Sequence, residues 1–88
     1  MQVLFNRKFL KDLALIHSKT RLKVEELVFK EIPAYTSVSE IKNLKKLRGY
    51  PEYYRIRFGD YRIGLKINDT ELCFERILHR KEIYKLFP

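Results

Sequence analysis

The sequence predicts an α+β domain: a small antiparallel β-sheet with an N-terminal helical hairpin packed on one face, in the order β-α-α-β-β-β. Three observations predict it. Tyr53 to Ile67 alternates apolar and basic residues with period two, the mark of half-buried strands. Residues 7–32 repeat apolar residues at helical spacing. Between and after the strands, Gly59-Asp60 and Asn68-Asp69 supply tight-turn chemistry, because these residues tolerate positive φ. The 88 residues suit one domain, 1–88, with no repeat, linker or low-complexity segment.

Gln2 to Phe5 is β-prone and reads as a first strand. Asn6 suits a helix cap. From Arg7 to about His17, Phe9, Leu10, Leu13 and Ile16 form an apolar stripe, and His17 closes the helix. A second helix is predicted from about Arg21 to Ile32, with Val24, Leu27, Val28 and Ile32 inward and Pro33 as its stop. Ser37-Val38-Ser39-Glu40 has the form of a capping box and predicts one or two helical turns through Leu44. Gly49-Tyr50-Pro51 then breaks any helix.

The meander follows, with strands over Tyr53–Phe58, Tyr61–Ile67 and about Glu71–Leu78. The third strand resists phasing. Leu72, Phe74 and Leu78 share a face with Arg76, whereas Cys73, Ile77 and His79 share the other with Glu75. A strand of this kind is either central or bulged. Lys81 to Pro88 suits a single helical turn.

Nineteen Lys and Arg against eleven Asp and Glu give a net charge of +8, a statement about anionic partners and not about fold. A single cysteine, Cys73, excludes an internal disulfide and a cysteine zinc set, and suits a reducing compartment. No 18-residue apolar run is present, so no membrane partner is expected and the localisation expected is cytoplasmic. No histidine pair, carboxylate cluster or glycine-rich phosphate loop stands in the chain; the expectation is no metal and no cofactor.

The strand alternation gathers Arg55, Arg57, Arg62 and Lys66 on one face. Arg80 and the tyrosines Tyr53, Tyr61 and Tyr84 lie close by in sequence. Arginine forks bind phosphate oxygens in pairs, and tyrosine rings offer bases a stacking platform. A solvated basic face is the alternative reading. Lys45, Lys46 and Arg48 extend the positive charge, and with Tyr53 and Lys66 they are candidate RNA-binding residues. His79 is either a structural residue at a strand end or a proton carrier near neutral pH.

The run L-R-G-Y-P-E-Y-Y-R-I-R-F-G-D-Y-R-I, with H-R-K-E-I-Y near the end, resembles the RelE/ParE superfamily of type II toxins, the RelE branch most nearly. The resemblance covers almost the whole chain. It implies a ribosome-dependent endoribonuclease that cuts mRNA in the A site by attack of a 2′-OH on the adjacent phosphate. It also implies an acidic antitoxin partner of the RelB kind, besides ribosome and mRNA. Carried over by motif, the catalytic set is Arg55, Arg57, Arg62, Arg80 and Tyr84. RelE has lysines where Arg55 and Arg57 stand. An arginine cannot release its proton at working pH, so neither is a general base. Either His79 shares the proton transfer, which is the expectation for this chain, or the phosphorane is stabilised so well that a weak base or water suffices. Two other functions fit the same fold: a ParE-like inhibitor of DNA gyrase, and a non-catalytic RNA- or antitoxin-binding module.

Overall fold

A computed structural model describes residues 1–88. Strand β1 (Gln2–Phe5) leads into helix α1 (Arg7–Ala14), and Asn6 caps it by accepting from the Lys8 N–H at 2.8 Å. Helix α2 begins as Ser18–Glu25 and runs on through a π-helical segment, Glu26–Glu31, and a last turn, Ile32–Ala34. A 3₁₀ turn, Val38–Glu40, precedes the strands β2 (Leu44–Lys46), β3 (Tyr53–Phe58), β4 (Tyr61–Ile67) and β5 (Glu71–His79). A terminal helical turn, Ile83–Leu86, ends the chain.

The sheet order is β1-β5-β4-β3-β2. The sequence-predicted meander is its centre, and the helices cover one face, as expected. Phe9, Leu13, Ile16, Val24, Val28 and Ile32 pack there on Ile56, Ile63, Leu65, Leu72, Phe74 and Ile77. No helix is long and apolar enough to cross a membrane.

Several details differ from expectation, each for a local reason. The sheet is mixed, because β1 lies parallel to β5, with Val3 beside Leu72 and Phe5 beside Phe74. The capping box forms as predicted, but its helix is a single 3₁₀ turn. Leu44 instead opens an edge strand, β2, whose Lys45 and Lys46 hide it from an apolar pattern. The Glu40 carboxylate accepts from the N–H groups of Ser37 and Thr36, which hold it below the usual carboxylate range.

His17 does not close α1. It caps α2, its ring Nδ1 accepting from the Lys19 N–H at 3.3 Å. Pro33 does not stop α2 at Ile32. The Ile32 N–H bonds to the Leu27 carbonyl, five residues back, so the helix is already widened when proline removes the next donor. Of the four turn residues only Gly59 has positive φ, at 58°. Asn68 acts through its side chain, which accepts from the N–H groups of Thr70 and Glu71.

Strand β5 is both central and bulged. Gly64 pairs with Arg76 but Leu65 pairs with Phe74, leaving Glu75 as the extra residue. The bulge switches parity. Leu72, Phe74 and Ile77 therefore all reach the core, which a regular strand would forbid.

Beyond Phe5, β5 has no strand neighbour on the β1 side. Asp12 of α1 closes that edge. Its Oδ2 accepts from the Ile77 N–H at 3.1 Å and from Arg76 Nε at 2.7 Å, and its Oδ1 accepts from Arg76 Nη2 at 3.1 Å. Both side chains are largely buried, Asp12 at 11% and Arg76 at 19% exposure. The bonded carboxylate raises the Arg76 pKa further above its ordinary value.

Candidate nucleic-acid interface

The face of the sheet opposite the helices carries the cations. Register partners share a face, so Arg57 stands beside Arg62, Arg55 beside Gly64 and Lys45, and Tyr53 beside Lys66. After the bulge, the same face receives Arg76 and Leu78, and Arg80 follows in the turn past the strand end, its N–H donating to the Asp60 carbonyl. His79 falls on the other face. It pairs with Tyr61, whose ring packs on the core, and the two rings meet edge to face at 5.9 Å. Its Nδ1 accepts from the Lys81 N–H. The structure does not bring His79 to the arginines.

Two guanidinium groups are oriented by backbone carbonyls. Arg62 Nη1 donates to the carbonyls of Gly59 and Tyr61, both at 2.9 Å, which leaves its Nε and Nη2 donors free. Arg55 Nη1 donates to the Asn43 carbonyl at 2.9 Å, and Asn43 is held in the left-handed region at φ 63°. The ion pairs of the chain are Arg21–Glu25, Lys30–Glu26, Lys66–Glu52 and Arg76–Asp12. Lys45, Lys46, Arg48, Arg55, Arg57, Arg62 and Arg80 thus have no acidic partner. Uncompensated positive charge on one face is a site prepared for anions.

A cavity of about 390 Å³ opens at the β2 side of this face, lined by Lys45, Lys46, Leu47, Arg48, Arg55 and Tyr84. Tyr84 is 60% exposed, so its ring is available to stack on a base. Lys46 alternates away from Lys45, towards the side of its partner Tyr54.

The chain end divides the face. Ile83 and Phe87 are buried outside the main core, and Phe87 meets Tyr53 edge to face at 5.6 Å. The Phe87 ring lies against Gly64, where an added Cβ would stand 2.7 Å from it. This explains the glycine in the middle of β4 and separates Tyr53 and Lys66 from Arg57 and Arg62. Lys66 is also four residues from Arg62 along the strand, roughly 13 Å, and is tied to Glu52 at 3.7 Å.

Gly64→Ala is expected to lift Phe87 from the sheet. Urea unfolding should then lose about 1–2 kcal/mol from the exposed ring, and a protease should clip the tail without unfolding the domain. An unchanged midpoint and an intact tail would contradict the contact.

Cys73 also lies on this face, half-buried. Burial pushes its thiol up to about 12, helped by hydrogen bonding to Glu75. Only about three ten-thousandths of such a thiol is thiolate at pH 8.5, against roughly half for an ordinary one. Alkylation of the native protein at that pH should be more than about tenfold slower than of the chain in urea. Equal rates would show that burial does not suppress the Cys73 thiolate.

A family model described as the ParE toxin of the type II toxin–antitoxin system parDE matches residues 3–84. Toxin RelE3 of Methanocaldococcus jannaschii is 43% identical over 89 residues, spanning all of both chains. The RelE chain of the RelB–RelE antitoxin–toxin complex from Methanococcus jannaschii superposes with a TM-score of 0.80 at 41% identity, covering 97% of this chain and 99% of that one. The toxin–antitoxin complex RelBE2 from Mycobacterium tuberculosis gives 0.70 at 26% identity, covering 90% and 96%. The isolated RelE toxin of E. coli, at 20% identity and a TM-score of 0.65 over 96% of this chain and 90% of that one, shares the fold. With this sheet, this tail and this similarity over nearly its whole length, the chain belongs to the ParE toxin family within the RelE/ParE superfamily and is a RelE-like toxin of a type II toxin–antitoxin system.

Proposed function

We propose that this toxin is a ribosome-dependent endoribonuclease that cuts mRNA in the ribosomal A site. The observation that carries the reading is the arginine set. Arg57 and Arg62 are register partners, Arg55 is one step along the same strand, and none has a carboxylate to neutralise it. The 2′-OH of one nucleotide attacks the adjacent phosphate, the P–O5′ bond breaks, and a 2′,3′-cyclic phosphate and a 5′-OH result. The crowded phosphorane carries extra negative charge, and fixed donors aimed at it lower the barrier. Arg62, already oriented by two carbonyls, holds the phosphate with its free Nε and Nη2. Arg55 and Arg57 stabilise the developing charge, and Arg80 lies towards the leaving oxygen. Tyr84 stacks on a base, with Lys46 and Arg48 along the RNA backbone at the rim and Lys45 beside Arg55. Tyr53, packed on the Phe87 ring, serves the tail contact, and Lys66 beside it pairs with Glu52. His79 takes no part, since its ring is on the core side.

Its natural inhibitor in this reading is an acidic antitoxin, as the RelB partner of the Methanococcus jannaschii relative suggests. A segment laid across uncompensated cations would compete with RNA for them.

The description of the matching family favours a second reading, a ParE-like toxin that inhibits DNA gyrase. Two assays separate them. Primer extension on programmed ribosomes should give toxin-dependent stops within the A-site codon, and gyrase supercoiling should be unaffected at the same toxin concentration. Intact mRNA with blocked supercoiling would decide for gyrase. Salt-sensitive RNA binding without either effect would leave a binding module.

A further inference from the structure

Proton removal from the 2′-OH has no owner among the arginines, because a guanidinium does not deprotonate at working pH. The other titratable groups of the face are limited. Cys73 holds its proton up to about 12. Lys66 is paired with Glu52 and lies behind Phe87, and Tyr53 is packed on that ring. Lys46 lines the same cavity but alternates towards Tyr54, and Tyr84 is the stacking ring, which leaves Lys45 as the titratable group in register with Arg55. It is the cross-strand partner of Arg55, lines the cavity that holds Tyr84, and has no acidic partner. The groups around it are Arg55 from β3, Lys46 from β2, Arg48 from the following loop and Tyr84 from the tail.

Within the nuclease reading, on which this depends, we propose that Lys45 is the general base of the cleavage step. Its neutral amine takes the 2′-OH proton as the O2′–P bond forms. The P–O5′ bond breaks, O5′ takes a proton from water, and the resulting ammonium returns its proton to solvent. Neighbouring arginines bind the phosphate while the lysine alone changes protonation state. A lysine on an exposed edge strand thereby fills the role that arginine at 55 and 57 leaves empty.

The test is the swap of Lys45 for arginine, which keeps the charge and removes the proton exchange. Single-turnover cleavage of A-site mRNA on programmed ribosomes is measured across pH for wild type, Lys45→Arg and Lys45→Ala, with ribosome co-sedimentation alongside. Both variants should cut about 10²–10³-fold more slowly than wild type. Lys45→Arg should still co-sediment as wild type does, and should lose the rise of rate with pH that wild type displays. Added methylamine should restore part of the Lys45→Ala rate. If Lys45→Arg cuts within about threefold of wild type, position 45 supplies charge only and the assignment is overturned. If wild type itself leaves A-site mRNA intact, the nuclease reading falls first and this assignment with it.

Discussion

Arg62→Ala is expected to slow A-site cleavage by about 10²–10³-fold while leaving the fold intact, the cost of removing one preorganised donor from a developing anion. Three features of its setting predict the large effect. Its Nη1 is held by the Gly59 and Tyr61 carbonyls, so the guanidinium enters the reaction already oriented. It stands beside Arg57, so the two set adjacent forks on one face, as a bidentate phosphate site would need. It has no carboxylate partner whose attraction RNA would first have to overcome. Arg62→Lys should restore little, because a point charge replaces a planar fork with fixed donors. The measurement is single-turnover cleavage with far-UV circular dichroism as a control of folding. A folded Arg62→Ala protein that cuts at the wild-type rate would remove Arg62 from the site.

Asp12→Ala should cost about 3 kcal/mol of stability, the largest effect expected outside the site. Removing one member of a buried pair leaves the other charge uncompensated. Here the Arg76 guanidinium and the edge N–H of Ile77 would both lose their acceptor. For a domain of this size, 3 kcal/mol lowers the melting temperature by roughly 15 °C. Adding Arg76→Met to Asp12→Ala should recover part of the loss, because the stranded charge is gone. Urea unfolding of the single and double variants checks both. A single variant within about 0.5 kcal/mol of wild type would contradict this role for Asp12.

The parts of the fold that the sequence made legible are those where one face is buried and one is wet. The alternation of Tyr53–Phe58 and Tyr61–Ile67 carried both the strands and the arginine face, because period-two patterning survives wherever a strand is half-buried. Strand β2 leaves no apolar pattern to read, because an edge strand of two lysines buries almost nothing. The parallel seat of β1 against β5 leaves no local mark at all. The bulge at Glu75 had the largest consequence for the site. Counting by twos from Leu72 and Phe74 sends His79 to the basic face and Arg80 to the core. One extra residue reverses the count, putting His79 beside Tyr61 and Leu78 beside Arg62. The reading of β5 as central or bulged contained this answer, but no residue type announced which strand position carried the extra residue.

The motif names the arginines and Tyr84 as candidates. The structure adds that backbone carbonyls orient Arg55 and Arg62, that Lys66 is spent on Glu52, and that Gly64 exists to seat Phe87. It also gathers Lys45, Arg55 and Tyr84 around one cavity, three residues separated by ten and by twenty-nine positions in the chain.

If cleavage proceeds by attack of an mRNA 2′-OH on its adjacent phosphate, the ends of the cut mRNA carry the most direct mark of it. Programmed ribosomes treated with wild-type toxin should yield fragments cut within the A-site codon. The upstream piece should end in a 2′,3′-cyclic phosphate and the downstream piece should begin with a 5′-OH that polynucleotide kinase can label without prior phosphatase. Fragments beginning with a 5′-phosphate, or uncut mRNA from folded toxin, would contradict the account.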